Sequence, residues 1–69
     1  METELEMAER HVREGIKHVR RQEAIVAELR RDGHETATAE ALLRTFEQTL
    51  ASHEQGLQVV RSEHKPQAR

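Results

Sequence analysis

The sequence predicts an all-α fold, an antiparallel two-helix hairpin that resembles a coiled coil and dimerises into a four-helix bundle. Apolar residues recur at heptad spacing in both halves of the chain, which indicates helices that pack along a seam with a slight left-handed supercoil. One break, the Asp-Gly-His-Glu segment at 32–35, separates the two halves. Short connections of this kind join helices that are antiparallel neighbours.

The apolar residues form two heptad lines on each predicted helix. On the first helix the lines are Leu5, Val12, Val19 and Val26, and Ala8, Gly15, Gln22 and Leu29. On the second helix they are Leu43, Leu50 and Leu57, and Ala39, Phe46, His53 and Val60. Ile16, Ile25 and Leu42 flank these lines, so each stripe is wider than a two-helix seam needs. We therefore expect a homodimer in which two hairpins cover each other's stripes.

The predicted oligomer interface takes most of its residues from these lines. It comprises Leu5, Val12, Ile16, Val19, Val26, Leu29, Leu43, Phe46, Leu50, His53, Leu57 and Val60. The 69 residues include no cysteine, so disulfides cannot support so small a core, and association of two copies is the expected support. A hairpin dimer and a domain-swapped dimer of extended chains both remain open, because the break is short.

We expect a single domain made of one hairpin. The domain spans residues 1–69. It is predicted to contain a first helix over about 3–31, a turn over about 32–36 and a second helix over about 37–64. A frayed tail is predicted over 65–69.

Residues near the ends of the predicted helices carry the usual start and stop signals. Thr3 and Glu6 stand at the spacing of a capping box at the start of the first helix. Gly33 can adopt the left-handed conformation that closes this helix. Thr36 or Thr38 caps the second helix, since threonine is a favoured N-cap residue.

The alignment of the two helices is not fixed by the sequence. One alignment places Gly15 beside Leu57, and a slip of one heptad places it beside Leu50. In both alignments a leucine faces Gly15, so we expect close packing at this glycine rather than a kink.

Composition narrows the class of protein. Charged residues make up 35% of the chain, yet the formal net charge is −2, a balance typical of solvated helix faces and not of a dedicated nucleic-acid binder. The chain has no apolar run of the roughly 20 residues that a membrane span needs, and its acidic N-terminal segment does not resemble a signal peptide. We therefore expect a cytoplasmic protein without membrane contact.

Histidines are the only metal ligands present in useful number. His11, Glu14 and His18 share one side of the first helix and could hold zinc with a ligand from a second chain. The Glu-x-x-His pairs of di-iron bundles and the His-Glu-x-x-His motif are both absent. A His/Glu metal-binding bundle is thus an alternative, and no metal ligand or cofactor is expected. His53, on a core line, is either a partly buried structural ring or a pH-sensitive, register-setting residue.

A basic face on the first helix offers a second alternative, a small regulator that contacts nucleic acid. The face comprises Arg10, Arg13, Lys17 and Arg20. No aromatic residue interleaves with these side chains for base stacking, so we do not expect nucleic acid as a partner.

The main expectation is a self-associating structural or protein-interaction module. Catalysis is not expected, since the chain has no cysteine, no Gly-rich phosphate loop and only two serines, Ser52 and Ser62. The apolar face that forms the homodimer could also receive an unidentified protein partner.

Several short segments resemble a group of small, mostly proteobacterial, helical-hairpin proteins of unassigned function. The segments are RHVREG at 10–15, RQ at 21–22, RDGH at 31–34, ALL at 41–43 and TFE at 45–47. The similarity covers most of the chain outside its two ends, and these segments carry no catalytic chemistry. The resemblance implies a small bacterial helical protein and transfers no site residue.

Overall fold

A computed structural model describes residues 1–64 of the chain, with side chains over 1–63. Two α-helices, α1 over Glu4–Arg31 and α2 over Ala37–His64, pack against each other. Residues 32–36 join them, so the helices run antiparallel. The predicted all-α hairpin is confirmed, whereas the predicted frayed tail lies outside the described residues.

The start of α1 is a capping box. The Thr3 hydroxyl accepts a hydrogen bond of 3.0 Å from the N–H of Glu6, and the Glu6 carboxylate accepts one of 2.9 Å from the N–H of Thr3. These bonds satisfy N–H groups that have no partner inside the helix. The predicted cap is confirmed.

The end of α1 is closed by Gly33. Its φ of +75° lies in the left-handed region, which a residue without a β-carbon adopts at little cost. The N–H of Gly33 donates to the carbonyl of Arg30 at 3.2 Å, and the N–H of His34 donates to the carbonyl of Leu29 at 2.9 Å. This pair of bonds is the Schellman motif, so the predicted glycine stop is confirmed.

The start of α2 uses three neighbouring side chains. The carbonyl of Thr36 accepts the first helical hydrogen bond from the N–H of Glu40 at 2.8 Å, so Thr36 rather than Thr38 precedes the helix. The Glu35 carboxylate accepts a bond of 2.7 Å from the N–H of Ala37. The Thr36 hydroxyl donates to the Glu40 carboxylate. The sequence predicted that a threonine side chain caps α2, but in the described hydrogen bonds the carboxylate that accepts from a first-turn N–H is that of Glu35, while the Thr36 hydroxyl bonds Glu40.

The two helices meet along the predicted heptad lines. Every position of these lines is buried or half-buried. Among the apolar side chains described, only Val26 and Leu57 have less than a tenth of their surface exposed, at 6% and 7%. The seam is thus in the predicted place, but one hairpin covers it incompletely.

Close contact at Gly15 shows how the helices are aligned. A β-carbon added at Gly15 would lie 3.0 Å from Cδ1 of Leu50, so α2 approaches the α1 backbone here. The structure therefore has the alignment that places Gly15 beside Leu50, and α1 passes through this position as one continuous helix. The expected close packing is confirmed.

The described part of the chain is long and thin, with extents of 59 × 24 × 14 Å. A thickness of 14 Å is little more than one helix diameter of about 10–12 Å. Each helix therefore has a single helical neighbour, and both broad faces of the hairpin meet solvent.

Candidate functional site

Charged residues concentrate along one edge of the seam. Arg30 pairs with Glu40 at 3.1 Å near the turn, and Glu9 lies 4.0 Å from Arg61 near the open end. All four residues occupy the same heptad position, which flanks the seam on one side. In an antiparallel pair of helices, residues at this position on one helix lie next to residues at the same position on the other. The hydrogen bond from the Thr36 hydroxyl, helped by the Arg30 charge, holds the pKa of the Glu40 carboxyl below its ordinary value of 4.5. We call this side the charged edge.

The α2 part of the opposite edge carries no Asp, Glu, Lys or Arg, whereas its α1 part also includes Glu4, Glu14, Arg21 and Glu28. We call it the uncharged face and define it as Met7, His11, His18 and Ile25 of α1 with Leu42, Thr45, Thr49, Ser52, Gly56 and Val59 of α2. Its α2 residues recur at alternating intervals of three and four, which is the heptad spacing of a second seam. Glu4 and Glu14 lie at its border with solvent.

Two grooves establish that the α1 and α2 parts of the uncharged face are neighbours. The larger, of about 300 Å³, is lined by His11, Glu14, Gly15, His18, Thr45, Phe46, Thr49 and His53. The smaller, of about 150 Å³, is lined by Glu4, Met7, Ala8, His11, Ser52, His53, Gly56, Leu57 and Val60. Ile25, Leu42 and Val59 each follow or precede a lining residue by one heptad and so extend the same face.

The most exposed large apolar side chains inside the two helices all belong to the uncharged face. Met7, Ile25, Leu42 and Val59 are 41%, 40%, 44% and 53% exposed. These four side chains share one face, with Met7 and Val59 near its open end and Ile25 and Leu42 near the turn, and the paired charges lie on the opposite edge.

Aromatic rings occupy the middle of the uncharged face. The His11 and His53 rings, one from each helix, have centres 5.0 Å apart and planes inclined by 42°. One level closer to the turn, the His18 ring stacks on Phe46 with centres 5.5 Å apart and planes inclined by 20°. The groove between these two ring pairs lies over Gly15, which offers no side chain to fill it.

The residues predicted to form an interface between copies are all buried or half-buried within one chain. They supply the contact between α1 and α2, and their role between copies stays a prediction. The sequence analysis identified Ile25 and Leu42 as flanking residues but missed Met7 and Val59. The signal for Val59 is present in the sequence, because Thr45, Ser52 and Val59 follow one another at intervals of seven.

The metal cluster considered from the sequence does not assemble. Over residues 1–64, no set of three or more His, Asp or Glu side chains is arranged to hold a metal ion. His11, Glu14 and His18 line the same groove, but His18 is stacked on Phe46. The ring that comes closest to His11 is His53, on the other helix.

Ion pairs engage one member of the predicted basic face. Arg10 donates to both carboxylate oxygens of Glu2, at 2.9 and 3.1 Å, and reaches Glu14 at 3.4 Å. The hydrogen bonds from Arg10 lower the pKa of the Glu2 carboxyl, and those to Glu2 raise the pKa of Arg10. The other members, Arg13, Lys17 and Arg20, are exposed.

Neither of the two described helices combines the length and apolar character needed to cross a membrane. Comparison of the chain with protein-family models, with curated proteins and with solved structures finds no match. The resemblance to small bacterial proteins therefore stays a prediction.

Proposed function

We propose that this chain is a self-associating structural or protein-interaction module whose unit is a homodimeric four-helix bundle. The observation that carries the proposal is the incomplete core of the single hairpin. Among the described residues no side chain is more than 98% buried, and only Val26 and Leu57 form a buried apolar core. A chain of 69 residues with so little core needs additional burial to be stable, since single cores of this size supply only about 3–5 kcal/mol.

The uncharged face is the surface that we propose is buried between copies. In a two-fold dimer the same patch meets itself, so the charge-free α2 part of this face brings no like charges together when it packs on its own copy. The charged edge, where Glu9 and Arg61 or Arg30 and Glu40 are already paired, then stays in solvent. A second copy is therefore the occupant that matches this surface in its exposed apolar side chains and in the absence of charge from its α2 part.

The face of the hairpin is large enough to form a stable interface between two copies. Specific interfaces bury about 800 Å² on each partner. A face whose dimensions are set by the 59 and 24 Å extents of the hairpin can provide an area of this order. The half-buried seam residues, such as Val12, Val19 and Phe46, would gain further cover from the second hairpin.

The proposal describes a module without catalytic activity of its own. From the resemblance stated above we propose a bacterial origin, and we propose the cytoplasm as the location. A different protein partner on the uncharged face is the competing outcome of the experiment below.

The test is sedimentation equilibrium of the purified chain at about 1 to 100 μM, a range that spans the dissociation constants of many transient and stable dimers. We expect twice the chain mass at the upper end. The Leu42→Lys variant should weaken the dimer at least about tenfold, because a lysine charge would be buried between copies. The matched variant Ala41→Lys adds the same charge at the neighbouring exposed position, outside the uncharged face, and should leave the dimer unchanged.

Each alternative result has a clear meaning. A wild-type chain that unfolds cooperatively but remains monomeric at about 100 μM would contradict self-association and favour a different partner. A dimer that tolerates Leu42→Lys as well as Ala41→Lys would show that the uncharged face is not the interface. Circular dichroism of both variants checks that the helices are retained.

A further inference from the structure

The His11 and His53 rings form a pair that links the two helices. Their centres are 5.0 Å apart, and both side chains are half-buried at the edge of the seam. Since one ring comes from α1 and the other from α2, any ligand that binds both would join the helices directly.

We propose that His11 and His53 bind one divalent transition-metal ion, with Zn²⁺ as the representative, between α1 and α2. Two imidazole nitrogens that bind the same tetrahedral ion at about 2.0–2.1 Å place their ring centres about 5 Å apart. The observed separation of 5.0 Å equals this value, so the two rings are close enough to share one ion. Imidazole favours zinc, copper and nickel over magnesium, which takes oxygen ligands.

The groove beside the pair supplies space and one further donor. Its volume of about 300 Å³ accommodates the metal with its water ligands, and Glu14 lies on its wall. The Glu14 side chain is 52% exposed, and its contact with Arg10 is long, at 3.4 Å. Because the described residues bring together no set of three ligands, the two imidazoles are the direct protein ligands in the proposed site, water completes the coordination, and Glu14 supports a bound water from the groove wall.

Two of the other histidines, His18 and His34, serve as internal controls. His18 lines the same groove but is stacked on Phe46. His34 lies in the turn and is exposed. Neither is paired with a second imidazole, so we expect neither to hold the ion.

Both imidazoles belong to one chain, so the site can be tested in a monomer, and His11 lies on the uncharged face that the proposed dimer would cover. The Leu42→Lys variant, designed to be monomeric, should bind the metal as the wild type does. A failure of self-association and a failure of metal binding are thus separate results.

The experiment is thermal unfolding followed by circular dichroism with Zn²⁺ or Mg²⁺ at about 1 mM. We expect Zn²⁺ to raise the melting midpoint by at least about 5 °C, because an ion that binds only the folded hairpin stabilises it. Mg²⁺ should have no such effect, and a chelator should reverse that of Zn²⁺. His11→Ala and His53→Ala should each abolish the shift, whereas His34→Ala should retain it.

Acidification gives a second test, because a metal ion and a proton compete for the same imidazole nitrogen. The Zn²⁺ shift should be present at pH 7.5 and lost at pH 5. Glu4, Glu14 and His18 are the titratable groups of α1 that line a groove with the pair, and no charged residue of α2 lines either groove. The variant Glu14→Gln should weaken the shift without removing it.

Paramagnetic Cu²⁺ identifies the ligands without relying on stability. In a spectrum of the imidazole protons, the signals of His11 and His53 should broaden first as Cu²⁺ is added. The proposal is overturned if Zn²⁺ gives no shift, if the shift persists in both alanine variants, or if the signals of His18 or His34 broaden first.

Discussion

The side-chain amide of Gln22 donates a hydrogen bond of 3.0 Å to the backbone carbonyl of Ala39 and so ties the middle of α1 to the first turn of α2. Gln22 is the one polar side chain that is buried among the described residues, with 5% of its surface exposed. Because a buried amide without a partner costs about 1–3 kcal/mol, this bond penalises any alignment of the helices that breaks it. A polar group at a single core position fixes alignment in this way in coiled coils.

The Gln22→Glu variant tests this bond. A carboxylate cannot donate to the Ala39 carbonyl, and its charge would be buried, so we expect the free energy of unfolding to fall by about 2–3 kcal/mol at pH 7. The matched variant Gln48→Glu makes the same change at an exposed position of α2 and should alter stability by less than about 0.5 kcal/mol. Urea denaturation measures both variants, and an equal loss in the two would contradict a role for the bond.

Gly15 and Leu50 support a second prediction through a double-mutant cycle. Gly56→Ala should stabilise α2 by about 0.5–1 kcal/mol, since alanine favours a helix more than glycine and the site is open. Gly15→Ala should gain less, because its β-carbon would lie 3.0 Å from Leu50 Cδ1. In a Leu50→Ala background, Gly15→Ala should recover the full gain. Identical effects of Gly15→Ala in both backgrounds would show that the two residues do not interact.

Acid should destabilise the hairpin through Glu2 and Glu40. The pKa of each carboxyl is lowered in the folded chain, by hydrogen bonds from Arg10 and from Thr36 respectively. A carboxyl with a lowered pKa contributes stability above its ordinary value of 4.5, and this contribution is lost as the pH falls through the lower, folded value. The melting midpoint should therefore decrease as the pH drops below about 4.5.

Glutamine variants assign this acid dependence. Glu2→Gln and Glu40→Gln should each flatten the curve of melting midpoint against pH in the acid range. Glu54→Gln removes one negative charge from an exposed position of α2 and controls for net charge. The assignment is wrong if all three variants flatten the curve to the same extent.

The helices and their ends could be predicted because local residues determine them. The Thr3 and Glu6 bonds join residues three apart, and Gly33 closes α1 through bonds to the preceding turn. These interactions need no knowledge of the second helix. The heptad lines can also be found from each helix alone, because they show only that the helix has an apolar side. In the structure these apolar sides meet at the seam.

The alignment and the uncharged face could not be predicted in the same way. Both possible alignments place a leucine beside Gly15, so the apolar pattern does not distinguish them. The bond that favours one alignment runs from Gln22 to a backbone carbonyl, which every residue possesses and no sequence pattern reveals. The uncharged face combines residues of both helices, so it can be recognised only once the alignment places His11 and His18 of α1 beside the polar, uncharged residues of α2.

Contacts near the turn join residues that are close in sequence, whereas contacts at the open end join residues that are far apart in sequence. The Gln22 bond joins residues 17 apart in sequence, and the Arg30–Glu40 pair joins residues 10 apart, whereas Glu9 and Arg61 are separated by most of the chain. Closing a longer loop costs more entropy, so contacts form first near the turn and spread outward. The molecule then behaves as a zipper, and its amide hydrogens should exchange with solvent fastest at the end where Glu9 meets Arg61.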